Sequence, residues 1–212
     1  MKYISTLLQR EVQDLSRIEG LSEMPRLLSL LASRSASLLN FSALSRSLGF
    51  SNMTLKRYLS LLQAVFVVHL VPAWTANIGK RLIKSPKVFL NDTGLLGFLC
   101  GLTAESLQQR PEMAGILLEN FVMQELFKQN CWSDTAPNIF YYRTAGGKEV
   151  DFVLEAQDGR VVGIEVKGSS KVQASDLKGL RDLQEGAAEH FYRGILLYTG
   201  SQIVPFSENL HA

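Results

Sequence analysis

Apolar residues recur at helical spacing through the first third of the chain and at strand spacing through much of the rest. Ile4, Leu7, Leu8, Val12 and Leu15 form one stripe, which predicts an amphipathic helix over residues 1–20 that ends at Gly20. A second helix is expected from Ser22, an N-cap with Pro25 near the first turn, to about Asn40, with Leu27, Leu28, Leu30, Leu31, Leu38 and Leu39 facing inward. Phe41 to Leu48 makes a short helix, Gly49 permits a left-handed exit, and Ser51 caps a longer helix from Asn52 to about Ala64. Helix, tight glycine turn and helix form a helix-turn-helix pattern. Its second helix buries Leu55, Leu59 and Leu62 and shows solvent Asn52, Thr54, Lys56, Arg57 and Ser60, the amides and cations that meet base edges and phosphates in a major groove.

Val65–Val71 and Lys87–Leu90 read as strands, and the basic segment between them completes a winged helix. Lys80, Arg81 and Lys84 then lie where a wing touches a duplex backbone. The alternative is a protein-packing module with ordinary solvated cations. Asn91-Asp92-Thr93-Gly94 opens a short apolar helix ending near Gly101, and the polar cluster at residues 103–112 suggests a boundary, giving units at 1–20, 21–105 and 106–212. In the last unit a helix is expected from Glu112 to about Gln129, with Ile116, Leu117, Phe121, Leu126 and Phe127 inward and Glu119 near its middle. Strands follow at 138–143, 149–155 and 161–167, then a helix at 175–185 and strands at 193–198 and about 203–206. The fold class is α+β with an α/β-like second half: a winged helix-turn-helix, then an αβββαβ unit with a mixed sheet.

The hairpin GGKEVDFVLE…VVGIEVKG carries the candidate chemistry. A two-residue turn at Asp158-Gly159 would set Phe152 against Glu165 and Val150 against Lys167, mixing apolar and charged residues on both faces. A three-residue loop, Gln157-Asp158-Gly159 with left-handed glycine, pairs Leu154 with Val162, Phe152 with Ile164 and Val150 with Val166, and leaves one face apolar. Asp151 then opposes Glu165, and Glu149 opposes Lys167. Like charges so placed are destabilising. A retained proton or a bridging divalent cation would offset them; otherwise Glu149 and Lys167 form a weak cross-strand pair and the acids diverge into water.

Charge sharpens the division. Residues 1–110 carry 13 Lys and Arg against 6 Asp and Glu, whereas residues 111–212 carry 9 against 14. The basic half suits a polyanion, and an acidic half touching nucleic acid requires cations. Cys100 and Cys131 sit in apolar or aromatic surroundings, without metal-ligand spacing, and read as structural thiols. His69, inside an apolar run, reads as a core or interface residue. No apolar run is long enough to span a membrane, and no secretory signal is evident, which points to the cytoplasm.

At Glu119, Asp151 and Glu165-Val166-Lys167 the sequence resembles the PD-(D/E)XK nuclease superfamily, with its restriction-endonuclease-like fold. Val150 stands where that pattern has proline. With the preceding helix-turn-helix, nearly the whole chain is similar to the C-terminal region of prokaryotic AAA-type ATPases whose tail is a domain of unknown function. Residues 79–87, 91–95, 118–122 and 163–167 carry that likeness. The chain has no G-x-x-x-x-G-K-[ST], so the resemblance implies an upstream ATPase domain as a partner and no ATP hydrolysis here. It further implies DNA or another nucleic acid as ligand, no small-molecule cofactor, and metal-assisted phosphodiester hydrolysis. In that scheme Asp151, Glu165 and the Val166 carbonyl hold Mg²⁺ or Mn²⁺, Glu119 reaches the ion, and Lys167 orients or deprotonates the attacking water. The alternative is a catalytically inactive nucleic-acid- or protein-binding module that regulates the ATPase.

Overall fold

A computed structural model describes residues 23–81 and 84–212, the side chains of Ile78 and Lys80 excepted. The helix expected over residues 1–20 lies outside the described residues. Among them, α1 (Met24–Ala32) buries Met24, Leu27, Leu28 and Leu31. It stops eight residues before the expected end at Asn40. The Ser33 and Ser37 hydroxyls donate to the Leu30 and Arg34 carbonyls, Ala36 adopts a left-handed φ of 61°, and Ser37–Leu38 forms a short strand, β1. Serines that bond nearby backbone offer an alternative to the helix.

The two helices expected on either side of Gly49 are present. α2 (Phe41–Leu48) is capped by Asn40, whose side chain accepts from the Ala43 N–H, and it ends at Gly49 with φ 73°. α3 (Asn52–Ala64) is capped by Ser51 and buries Leu55, Tyr58, Leu59 and Leu62. The strand expected from Val65 begins later, as β2 (Val68–Val71), because Phe66 turns the chain at φ 54°. After a short helix α4 (Ile78–Arg81), β3 (Lys87–Leu90) pairs antiparallel with both β2 and β1, so β3 is the central strand of three. All four of its residues are buried.

α5 (Thr93–Leu99), capped by Asp92, and α6 (Ala104–Gln109), closed by a Thr103–Ser106 capping box, lead to α7 (Pro111–Asn130). α6 occupies the stretch expected to be a linker. The buried residues of α7 are Asn120, Met123 and Gln124, while Phe121, expected inward, is about half exposed. Then come β4 (Asn138–Arg143), β5 (Glu149–Glu155), β6 (Val161–Lys167), α8 (Lys178–Ala187), β7 (Phe191–Tyr198) and β8 (Leu210–His211). The five strands stand in sequence order, antiparallel up to β6 and parallel from β6 to β8. The last strand falls at 210–211, not near 203–206; Val204 and Phe206 instead bond back to Ala212 and Leu210. α8 lies so close to β5 that a Cβ at Gly179 would stand 1.8 Å from the Glu149 carbonyl oxygen.

The two halves share a core. Val71, Ala73 and Phe89 from the first pack with Met123, Tyr141, Phe152 and Ile164 from the second. The chain after β2 also joins the edge of the larger sheet: the Trp74 N–H donates to the Tyr141 carbonyl at 2.6 Å, and the Tyr141 N–H to the Pro72 carbonyl at 2.9 Å. His69 is an interface residue, stacked on Phe127 at 4.2 Å with its Nε2 3.0 Å from Asn91 Oδ1. Cys100 is half-buried and Cys131 is exposed, and both are free thiols. Among the described residues no helix is long and apolar enough to cross a membrane.

Asn120 fixes α7 to β3. Its Oδ1 accepts from the Leu90 N–H and from the Ser35 hydroxyl, and its Nδ2 donates to the Leu90 carbonyl, in full burial. Replacing Asn120 with Ala orphans both backbone groups of Leu90, so Asn120→Ala is expected to lose roughly 2–4 kcal/mol of stability in urea denaturation. A loss within experimental error would show that this bond pair does not hold the halves together.

Candidate functional site

The hairpin loop has the three-residue form: Gly159 has φ 86°, the Ala156 N–H donates to the Arg160 carbonyl, and Leu154 pairs with Val162 and Phe152 with Ile164. Beyond Phe152 the expected register fails. Neither Val150 with Val166 nor Asp151 with Glu165 forms a ladder pair. The Asp151 side chain takes over from the backbone, its Oδ2 accepting from the Val166 N–H at 2.9 Å. On the other side of β5 the pairing with β4 slips between Phe140 and Tyr142, opposite this point. The irregularity also divides the face expected to be continuously apolar: Val150 packs with Leu180 and Leu183 of α8, whereas Phe152 packs with Met123 of α7.

The acids are brought together, around a group the sequence reading did not single out. Lys87, at the start of β3, is 1% exposed, and its Nζ lies 2.7 Å from Glu149 Oε1, 2.9 Å from Glu119 Oε1 and 3.3 Å from Asp151 Oδ1. Glu119 comes from α7, and Glu149 and Asp151 from β5. One ammonium from the basic half thus enters three carboxylates of the acidic half. Glu165 stands beside them with Lys167 Nζ 2.7 Å from its Oε1, and its Oε2 is buried with no hydrogen-bond partner among the described residues. Arg143 reaches the far side of Glu149 at 3.6 Å.

Electrostatics follow from burial and crowding. Burial, then Asp151, raise the Glu119 pKa to about 8 against the pull of Lys87. Burial and Asp151 likewise raise Glu165 to about 7 against Lys167. Burial opposes the Lys87 ammonium, yet Glu119, Asp151 and Glu149 hold its pKa above the ordinary lysine value. Burial opposes the Lys167 ammonium too, but Glu165 and then Asp151 carry its pKa upward.

As described, this donor set does not fit Mg²⁺ or Mn²⁺. Both Asp151 oxygens are engaged, Glu119 Oε1 is bonded to Lys87, and an ammonium sits among the carboxylates. Glu165 Oε2 is buried without a hydrogen-bond partner among the described residues. No group of three or more candidate ligands positioned for a metal ion occurs among the described residues.

The other predicted residues separate. Asn52, Lys56 and Arg57 are exposed on α3; Thr54 is half-buried, its N–H and hydroxyl both bonded to Ser51. Arg81 does not project from a wing. Its guanidinium donates to both oxygens of Glu155 at 2.5 and 2.7 Å and to the Thr75 carbonyl, and Trp74 Nε1 donates to the same carboxylate. Lys84 Nζ donates to the Arg143 carbonyl at 3.3 Å. The Lys80 side chain lies outside the described residues. Arg81, Lys84 and Lys87, all from the presumptive wing and its second strand, are thus directed at the second half.

Fold and site define a two-part α+β protein: a helical half with an antiparallel three-stranded sheet, joined through a buried lysine to an acidic half with a mixed five-stranded sheet. The chain belongs to the family described as a domain of unknown function, DUF8612, whose model matches residues 1–106, half its length. A second domain of unknown function, DUF4143, matches residues 114–212. The chain is 33% identical over 213 aligned positions to uncharacterized proteins of Mycobacterium bovis and Mycobacterium tuberculosis. The alignment covers 99% of this chain and 46% of either relative, so the chain spans about half the length of the curated relatives it matches. No solved structure matches it.

Because the Glu119 pKa stands at about 8 in the folded state against an ordinary 4.5, the folded chain keeps a proton there that the unfolded chain loses. Its contribution to stability is therefore present below the ordinary value and lost as pH rises through that window, with a slope approaching about 1.4 kcal/mol per pH unit. Glu119→Gln mimics the protonated form, so the variant should gain on wild type as pH rises from about 5 to about 8 in denaturation curves. A constant difference across that range would mean Glu119 is ionised throughout.

Proposed function

We propose that the chain is a nucleic-acid-binding module, a winged helix joined to a restriction-endonuclease-like half, that serves a longer protein without hydrolysing phosphodiesters in the conformation described. The carrying observation is the outer face of α3. Asn52, Lys56 and Arg57 stand exposed there, and no acidic residue occurs between Glu23 and Asp92 to offset the cations. Arg46 at the end of α2 adds to the same unit. The element order α1, β1, α2, α3, β2, β3, with β3 central in its sheet, supports the winged-helix reading, because the helix after the tight turn is then the one free to enter a groove.

For the second half, the run from α7 through β4, β5, β6, α8 and β7, with β6 and β7 parallel, supports the nuclease-like reading of the fold. The chemistry is a separate matter. Hydrolysis by that scheme needs a divalent ion on Asp151 and Glu165, and the carboxylates are compensated from within. The resemblance to ATPase C-terminal regions makes an AAA-type ATPase domain the proposed partner in the longer protein, in a cytoplasmic setting. This chain then docks or regulates.

Binding should be read by fluorescence anisotropy with a duplex oligonucleotide over a range of salt. Wild type is expected to bind with a salt-dependent affinity, and the double variant Lys56→Ala/Arg57→Ala to bind more weakly with a log–log salt slope shallower by about 2. Salt-insensitive or absent binding would leave a protein-packing module. Plasmid incubated with Mg²⁺ or Mn²⁺ should stay intact; cleavage that disappears in Asp151→Ala would restore the hydrolytic reading.

A further inference from the structure

We propose that Lys87 is the resident cation of the carboxylate cage formed by Glu119, Glu149 and Asp151: an intramolecular competitor of divalent ions, whose removal turns the cage into a cation site. The inference is independent of nucleic-acid binding at α3, which lies on the other half and is read by a different assay.

Three observations carry it. Lys87 is the only cation within ion-pair distance of Glu119 and Asp151 among the described residues, and it reaches them from another half of the chain. Its backbone is held by β-pairing on both sides, to Leu38 of β1 and Val71 of β2, which anchors the lysine stem beside the cage. Beside the cage, Glu165 is 8% exposed and its Oε2, the oxygen not bonded to Lys167, has no partner among the described residues.

Geometry also sets which ions would succeed. The ammonium stands 2.7–3.3 Å from its oxygens. Mg²⁺ demands near-octahedral contacts at about 2.0–2.1 Å, whereas Ca²⁺ accepts irregular sets at about 2.3–2.6 Å. A cage built to ammonium dimensions has less far to contract around the larger ion. With the lysine stem gone, water would fill the vacated space and complete the coordination. Glu149, whose side chain is 30% exposed, marks the side open to solvent.

The experiment compares wild type, Lys87→Ala and the double variant Lys87→Met/Glu119→Gln by thermal unfolding in EDTA and with added Ca²⁺, Mn²⁺ or Mg²⁺. Isothermal titration with Ca²⁺ and Mn²⁺ accompanies it. Wild type should show no divalent-dependent shift. Lys87→Ala should melt low in EDTA and recover by several degrees with Ca²⁺ or Mn²⁺, less with Mg²⁺, and bind Mn²⁺ on the order of ten-fold or more tighter than wild type. The double variant lacks one cage carboxylate as a ligand as well as the ammonium, and should fold in EDTA with a smaller metal response. Wild type binding these ions as tightly as Lys87→Ala would overturn the proposal. So would Lys87→Ala that stays unfolded, or shows no shift, in every divalent ion while the double variant folds.

Discussion

A buried ammonium shared by three carboxylates is what the two halves have in common, and its energetics explain why three are needed. Taking a lysine head group out of water costs several kcal/mol even after relaxation. One carboxylate at about 3 Å returns a few kcal/mol at the effective dielectric of a protein interior, and its own desolvation consumes part of that. A lone pair therefore barely breaks even. With Glu119, Glu149 and Asp151 all within 3.3 Å, the Lys87 charge is stabilised enough to remain, and the acids need it as much as it needs them. Because the cation and the anions come from different halves, neither half can present its own surface here without exposing uncompensated charge or apolar core.

The opposite charge of the halves then has two destinations. Part is spent inside the molecule, by Lys87 in the cage and by Arg81 on Glu155, the latter side chains only 13% and 20% exposed. Arg46 of α2 and Lys56 and Arg57 of α3 face outward, with no acid nearby in sequence. A charge count over each half cannot separate these uses. Internal pairs contribute to association of the halves, and only the outward remainder can attract a polyanion.

Most of the fold was legible because periodicity and turn chemistry act locally. Asn40, Gly49, Ser51 and Asp92 all bound helices, and the hairpin register follows from a three-residue loop with Gly159 left-handed. The register was lost where a side chain replaced the backbone, at Asp151 and Val166, since alternation assumes an unbroken ladder. The inward face of α7 was misread for a related reason. Apolar residues surround that helix, so the stripe carried little information, and the decisive inward residue is polar Asn120, buried because it pairs with Leu90. Lys87 looked like the solvated start of a short strand. Its signal was present only non-locally, as an acidic half lacking cations and a lysine flanking a run of three apolar residues.

Two remedies for crowded acids were open on the sequence, a cation or a retained proton, and the cluster combines both. Lys87 supplies one positive charge to Glu119, Glu149 and Asp151, and Lys167 supplies another to Glu165. Arg143 touches only the outer side of Glu149. Burial first, and then the neighbouring Asp151 charge that monovalent ammonium leaves incompletely neutralised, raise the pKa values of Glu119 and Glu165. A divalent ion would relieve that crowding but would depend on supply, whereas a tethered lysine is present at a fixed high effective concentration from the moment the halves meet. The cluster therefore exchanges complete charge neutralisation for a cation that arrives with folding.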